Sequence, residues 1–459
     1  MLSVTQRAMT GALKVIQECL TLDQDTPLAI FCDETTVKVA EVLRAAAEKV
    51  QVPVRVHPEP LDRQRAFRPE AGLSLSIRER LEECQAVITC LAADPESTPF
   101  RLELVRQATH RDKRVGHMPG VTLDVLAYAV NIDYNSVQQK CDDLAFALTA
   151  GSTARLTTYR SESTSEVLEL DLGGFDRSAV LSTGIVEAGT WGNLPGGETF
   201  IAPMEGKAEG RFVLNGAFNS HVMGRGTALV LEFKKGTFTR IVSGPAAVVT
   251  KFERLLENAN SNKNDSWRTL AELGVGVNDG IRKLTGNSLF DEKCLGTVHI
   301  AIGDNSTFGG RSESDCHEDL VTLRPSLQVD GKPILDRGRY VFDSAQWRED
   351  IDTHPIHPDL QAHGGFVMKG LIGARERGGA LVVERRISDG RMNRYTVGNT
   401  HTTPILAAVY TDIPEGPFKI ELKKLWRAVQ TKSVKMSYET LMRGLSILAK
   451  HRLIAVTGA

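Results

Sequence analysis

The sequence predicts three successive modules: an α/β domain with a mostly parallel sheet over residues 1–150, an α+β domain over 151–360 that carries the candidate catalytic residues, and a small winged-helix-like domain over 366–459. Three observations lead there. Short apolar runs alternate with amphipathic helical stretches in the first third of the chain. Strand-like runs joined by glycine-rich turns fill the middle. The charge balance reverses near residue 366, where the C-terminal part carries +9 and the rest −11, within a net charge of −2.

In the first module the strand candidates are Pro27–Cys32, Val52–His57, Ala86–Leu91 and Arg114–Met118. Helical periodicity marks Thr36–Val50, Ser76–Cys84, Leu102–His110 and Leu123–Ala129, and a helix over Val137–Thr149 closes the unit. Alternation of this kind reads as βαβ units. No GxGxxG turn or phosphate loop interrupts it, which excludes the usual nucleotide fingerprints.

In the second module, Val167–Leu172, Phe212–Leu214 and Ala228–Phe233 read as strands, and Ala247–Ala259 as one clear helix. Its many glycines suit backbone that turns sharply or approaches a ligand closely. In the third, Leu381–Ile387 and Asn393–Val397 flank Ser388-Asp389-Gly390 as a hairpin. Three helical segments follow: Ile405–Tyr410 behind a Thr403-Pro404 start, a stripe of Leu422, Leu425, Trp426 and Val429, and a stripe of Leu441, Leu445 and Leu448.

The composition, 41% hydrophobic and 24% charged over 459 residues, is that of a folded protein. The first twenty residues carry Arg7, Lys14 and Glu18, unlike a signal peptide, and no apolar run reaches the roughly 18 residues of a membrane span. Seven scattered cysteines without CxxC spacing read as reduced thiols. These features together predict a soluble cytoplasmic protein.

Chemistry concentrates in the middle module. His299 sits in the apolar run Thr297–Gly303, and His317 and Asp319 stand two residues apart, so that in extended chain they project to one side. Imidazole and carboxylate together suit first-row divalent metals. Glu198 follows the turn Asn193–Gly197, and Glu272 lies inside the apolar, glycine-rich Ala271–Asn278. A carboxylate in such a run is costly to bury unless paired or ligating. Each has a plainer reading: a surface His–carboxylate pair, a turn glutamate, a salt-bridged glutamate. Cys316 reads as a packed neighbour of the site, His117 as a strand terminus, and the stretch with His354, His357 and His363 as a linker.

The segments NLPGGETFIAP, AELGVGVN, HIAIG and HEDL, in that order, resemble the signature segments of the aminopeptidase T family of metallopeptidases, over about residues 20–345. The resemblance implies that Glu198, Glu272, His299, His317 and Asp319 bind two divalent ions (zinc, cobalt or manganese) and that the protein is a homodimer. Two such ions can share a water, lower its pKa toward about 7 and polarise a peptide carbonyl. Glu272 is the expected bridging and catalytic carboxylate.

The likeness departs at one point. The aminopeptidases carry a tyrosine shortly after the first histidine, whereas here the segment is Asp304-Asn305-Ser306-Thr307-Phe308. Losing one such hydrogen-bond donor can cost about a hundredfold in rate. A ring-cleaving relative in the same superfamily, 2,5-dihydroxypyridine dioxygenase, uses one iron(II), for which His299, His317 and Asp319 would serve as two histidines and a carboxylate. The hairpin-and-helices order of 366–459 resembles the PqqD-type elements that bind leader peptides of ribosomally made, modified peptides, and its positive charge would suit an acidic leader. A lid or dimerisation role and nucleic-acid binding are the alternatives for that module, the last weakened by the scatter of its basic residues.

The leading expectation is thus a metallo-aminopeptidase acting on a peptide, with a precursor held by the C-terminal module as its expected substrate. An iron(II) ring-cleaving dioxygenase stands second, and an inactive peptide-binding scaffold third.

Overall fold

In the computed structural model the described residues are 3–174, 177–259 and 265–347, followed by Gly365–Val367, Ala374–Arg377, Ala380–Arg386, Met392–Val397, Lys419–Glu421, Leu425 and Tyr438–Lys450. The chain opens with helix α1 (Val4–Lys14), capped by a reciprocal pair in which Ser3 accepts from the Gln6 backbone and Gln6 from the Ser3 backbone. Strands β1 (Leu28–Cys32), β2 (Val54–Pro58), β3 (Ala86–Cys90) and β4 (Arg114–His117) alternate with helices α2 (Val37–Lys49), α3 (Leu61–Arg65), α4 (Leu75–Glu82) and α5 (Thr98–Thr109). The strands pair in parallel in the order β2-β1-β3-β4, and Trp191–Asn193 adds a fifth parallel strand beside β4.

The continuous apolar strands sort their side chains onto two faces. Leu28, Ile30, Ala86 and Ile88 pack with α1 and α2; Ala29, Phe31 and Val87 pack with Ile77 and Leu81 of α4 and with Phe100 and Leu104 of α5. Helices therefore cover both faces, as an all-parallel sheet requires. Helix α6 (Tyr134–Ala150) follows, its first turn held by Asp133, which accepts from the backbone of Asn135 and Ser136.

The next strands are β5 (Thr153–Tyr159), β6 (Ser165–Asp171), β7 (Val180–Ser182), β8 (the Trp191–Asn193 strand already mentioned), β9 (Glu198–Ile201), β10 (Glu209–Leu214), β11 (Ala217–Phe218), β12 (His221–Val222), β13 (Leu229–Lys234) and β14 (Thr237–Ser243). After helix α7 (Ala246–Ala259) come β15 (Leu270–Gly276), the single turn α8 (Ser288–Asp291), β16 (Thr297–Gly303), β17 (His317–Leu323), β18 (Ser326–Val329), β19 (Lys332–Asp336) and β20 (Arg339–Tyr340). They form two antiparallel sheets, ordered β14-β13-β10-β6-β5-β18-β19-β20 and β12-β11-β17-β16-β15-β9-β7. The expected parallel-sheet unit and mixed α+β unit are both present. β8 ties them together, because it belongs to the first sheet while its chain neighbour β9 belongs to the second.

Beyond residue 364, Ala374–Arg377, Ala380–Arg386 and Met392–Val397 form an antiparallel three-stranded sheet, and Gly365–Val367 pairs with Lys419–Glu421. The helix Tyr438–Lys450 buries the stripe Leu441, Leu445 and Leu448, in the same hydrophobic cluster as the main core. The expected turn at Ser388–Gly390, the helix at Ile405–Tyr410 and the stripe around Leu425 apart from that residue itself lie outside the described residues, as does the His/Pro-rich stretch from 354 to 364. A separate winged helix is therefore not part of the described fold. Among the described residues no helix is long and apolar enough to cross a membrane.

Candidate metal centre

One face of the second antiparallel sheet carries all five candidate donors. Side chains alternate along a strand, so Glu272, Gly274 and Gly276 of β15 share a face, as do His299, Ala301 and Gly303 of β16, and His317, Asp319 and Val321 of β17. The register sets Glu272 opposite Ala301 and Ala301 opposite Asp319. It also sets Gly274 opposite His299, Gly276 opposite Glu198, and Gly303 opposite His317. Each donor thus faces a glycine or alanine on at least one neighbouring strand, which leaves room for imidazoles and carboxylates. The other face carries Ile201, Leu273, Val275, Ile300, Ile302 and Leu320, all buried in the core. His317 and Asp319, expected in an extended loop, instead begin a strand; the same two-residue alternation serves in either setting.

Glu272 lies between the two histidines. Its Oε1 is 3.0 Å from His299 Nε2 and its Oε2 is 3.2 Å from His317 Nε2. Asp319 Oδ1 is 3.3 Å from His317 Nε2, and Glu198 Oε2 is 3.7 Å from His299 Nε2. His317 Nδ1 lies 2.7 Å from the carbonyl oxygen of Asp304. A carbonyl only accepts, so Nδ1 donates to it. The neutral ring then presents the Nε2 lone pair to the acidic face, the usual arrangement behind a metal-bound histidine.

Sequence reading missed two residues of this cluster. Glu292 and Lys293 look like part of a solvated charge run at Asp291–Lys293, yet both are buried, Lys293 completely. Lys293 Nζ is 2.7 Å from Glu198 Oε1 and also contacts Glu292. The glycine at 276, inside AELGVGV, was the available signal. A Cβ there would sit 2.2 Å from the Cys294 carbonyl oxygen and 2.7 Å from that of Glu292. Only glycine lets the 292–294 segment lie over β15.

These residues fit a divalent cation. They fall into two adjoining groups, Glu198, Glu292 and His299, and Glu272, His317 and Asp319, each able to converge on one ion. Glu198 Oε2 and Asp319 Oδ1 are buried acceptors that no donor meets at hydrogen-bonding geometry. Buried acceptors of this kind are costly unless satisfied, and a cation would satisfy both.

Charges inside the cluster are strongly coupled. Burial opposes charging of His299, but the Glu272 hydrogen bond and the Glu272, Glu198 and Asp319 charges outweigh it and push it up to about 9. Burial likewise opposes charging of His317, and Asp319 and Glu272 outweigh it, holding its pKa well above the usual imidazole range. Glu272 and Asp319 are driven the other way: burial would raise both, but the imidazoles keep them below the ordinary carboxylate range. Glu292 is pushed well up by burial and by the charge of Glu198. Protons on the two rings thus balance the acidic face where a metal would do so.

A cleft of about 240 Å³ opens onto the donors, with Phe200, Phe308 and Leu289 as apolar walls and Asn193, Asp304 and Thr307 as polar ones. Phe308 packs edge-on against Phe200 with centroids 5.3 Å apart and against His317 at 5.8 Å. Its loop is pinned from beneath. Buried Arg177 donates to the Gly309 carbonyl and pairs with Glu205, whose Oε1 accepts from Asn305 Nδ2 at 3.0 Å and from the Arg311 backbone at 2.8 Å. Ser306 Oγ donates to Asp304, so that hydroxyl is engaged. His117 ends β4, as expected; it bonds Thr89 Oγ1 at 2.7 Å, and burial pushes its pKa down to about 3.

A family model for 2,5-dihydroxypyridine 5,6-dioxygenase matches residues 164–342, the span that holds every donor. A search of curated proteins finds no match. Among solved structures, the 2,5-dihydroxypyridine dioxygenase of Pseudomonas putida KT2440 is similar over 75% of this chain and 99% of its own, at 17% identity and a TM-score of 0.57. The wild-type AmpT of Thermus thermophilus is similar over 74% of this chain and all of its own, at 16% identity and a TM-score of 0.52. At such identities both show a shared fold.

The family match overturns the aminopeptidase T expectation. The physical reason is at Phe308, where a buried ring closes the cleft beside His317 in place of a hydroxyl donor for a tetrahedral oxyanion. The expectation of peptide hydrolysis falls with that assignment, and much of the hairpin-and-helices pattern behind the expected precursor peptide lies outside the described residues.

Proposed function

We propose that the protein is a metal-dependent dioxygenase that opens a small hydroxylated aromatic ring, with one iron(II) held by His299, His317 and Asp319. The observation that carries this reading is that His317 and Asp319 line a cleft walled by Phe200 and Phe308, while Glu272 joins His317 to the second imidazole, His299, buried behind it. Two histidines and a carboxylate with open positions form a donor set suited to non-haem iron(II) and oxygen. The match to a ring-cleaving family supports the same reading.

Iron(II), when bound, supplies the redox chemistry that lets dioxygen react with an electron-rich ring. The protein's own residues orient and protect. Phe200 and Phe308, packed edge to face on each other, offer one aromatic wall against which a planar ring can lie. The cleft falls below the roughly 300–1,000 Å³ common for drug-sized ligands, which suits a single ring. Asn193 Oδ1, buried and without a hydrogen-bond partner, can accept from a ring hydroxyl. Glu272, in contact with both imidazoles, orients them.

The test is oxygen uptake by protein reconstituted anaerobically with iron(II) and then given 2,5-dihydroxypyridine or related dihydroxylated rings. The reading expects one O₂ consumed per ring lost. Iron-loaded protein that consumes no oxygen with any such ring would sink it.

A further inference from the structure

The buried lysine beside the donors has a consequence for how many metal ions the site can hold. Four carboxylates and two imidazoles, in two adjoining groups that can each converge on an ion, would be enough for a pair of cations. Lys293 occupies one of those groups. Its ammonium is fully buried, 2.7 Å from Glu198 Oε1 and in contact with Glu292.

The position is built. The Asn278 backbone N–H donates to the Lys293 carbonyl at 2.8 Å, and Leu295 N–H returns to the Asn278 carbonyl at 3.0 Å. Gly276 admits this segment against β15 because any Cβ would collide with the 292–294 backbone. Glu198 is divided between the two cations: Oε1 is taken by Lys293, while Oε2, with no hydrogen-bond partner, is left on the His299 side.

We propose that Lys293 is a resident cation that replaces a second metal ion, so that the centre holds one metal and not two. Glu198 and Glu292, which with His299 form one of the two donor groups, are engaged by the ammonium, which leaves His299 to the single ion held with His317 and Asp319. An ammonium has no vacant coordination position, so it cannot activate a water or polarise a carbonyl as a second metal would in a two-metal hydrolase. Lys293 is thus a positioning residue that favours single-metal chemistry. The inference rests on the reading of the cluster as a metal site and deepens the proposed one-iron centre.

Zinc serves as an air-stable probe. The full-length protein is stripped of metal, dialysed against excess zinc and analysed for zinc per folded chain, with folding followed by circular dichroism. Wild type and Lys293→Arg are expected to saturate at one equivalent, and Lys293→Ala, which vacates both charge and volume, at two. Two equivalents in the wild type, or one in a folded Lys293→Ala, would overturn the proposal. If Lys293→Ala does not fold, the wild-type titration decides: saturation at one sustains the proposal and uptake of a second ion defeats it. One equivalent of metal without oxygen uptake on any ring would remove the proposed activity and leave the role of Lys293 intact.

Discussion

Gly274 lies directly opposite His299 across β15 and β16, and a Cβ on Gly274 would sit 2.0 Å from His299 Nε2. The imidazole therefore occupies the space that the absent side chain leaves. Gly274→Ala should displace the ring and lower metal affinity by about ten- to a hundredfold, the range seen when a ligand loses its orienting partner. Calorimetric titration of folded variant and wild type with zinc measures it; equal affinities would show that the ring is not a ligand.

His317 Nε2 is shared between Glu272 and Asp319. His317→Ala and Glu272→Gln should each reduce bound iron after reconstitution to well under half of the wild-type content. Unchanged metal in both folded variants would refute the assignment of the site.

His299 is raised in the folded, metal-free protein to about 9 from an ordinary value near 6.5. A group raised by folding contributes stability that is fully present below its unfolded pKa and is lost as pH rises through its folded pKa. The metal-free wild type should therefore lose thermal stability between pH 6.5 and about 9, and His299→Asn should lose less over the same window. A wild-type melting temperature that is flat or rising there contradicts the coupling. Metal must displace ring protons, so loading at pH 7 should release about two of them, measurable in a weakly buffered dye solution.

Phe308 packs on Phe200 and His317 at the mouth of the cleft. Phe308→Leu keeps the apolar volume but removes ring-to-ring contact, worth about 0.5–1.5 kcal/mol. The expected result is a roughly two- to tenfold rise in KM for the ring substrate with metal content unchanged. A kcat that falls alone, with KM intact, would place Phe308 outside the binding wall.

Arg177 holds the loop that carries Asp304 and Phe308 through Gly309 and Glu205. Removing one partner of a buried ion pair costs about 3–5 kcal/mol. Arg177→Met should lower stability toward the bottom of that range, because Glu205 is partly exposed, and should raise KM. Urea unfolding and steady-state kinetics check both, and no change in either would show the loop to be held by other contacts.

Much of this could be read in the chain. Strands β1 and β3 are continuous apolar runs of the right length, and helical periodicity located α2, α4 and α5 within four residues at either end, while the short α3 was not read. The five donors were legible because Glu272 and His299 are polar residues in apolar runs, and because His317 and Asp319 stand two apart. Glu292 and Lys293 were not legible. In sequence they belong to an ordinary charged turn, and only the close passage of their backbone over Gly276 takes them out of water.

The sequence by itself determined the alternation of strands and helices, the apolar face of the site sheet and the donor types on its other face, because side-chain periodicity is a local property of the backbone. Tertiary structure alone decided which donors meet. The register sets Glu272, Ala301 and Asp319 in one row, and the turn after α8 brings a buried ammonium to Glu198. Those distances depend on strand pairing between segments far apart in the chain, and no local pattern encodes them. The surroundings of Phe308 belong to the same level of organisation: the sequence shows only that no tyrosine stands there, and the fold turns the ring onto Phe200 and His317.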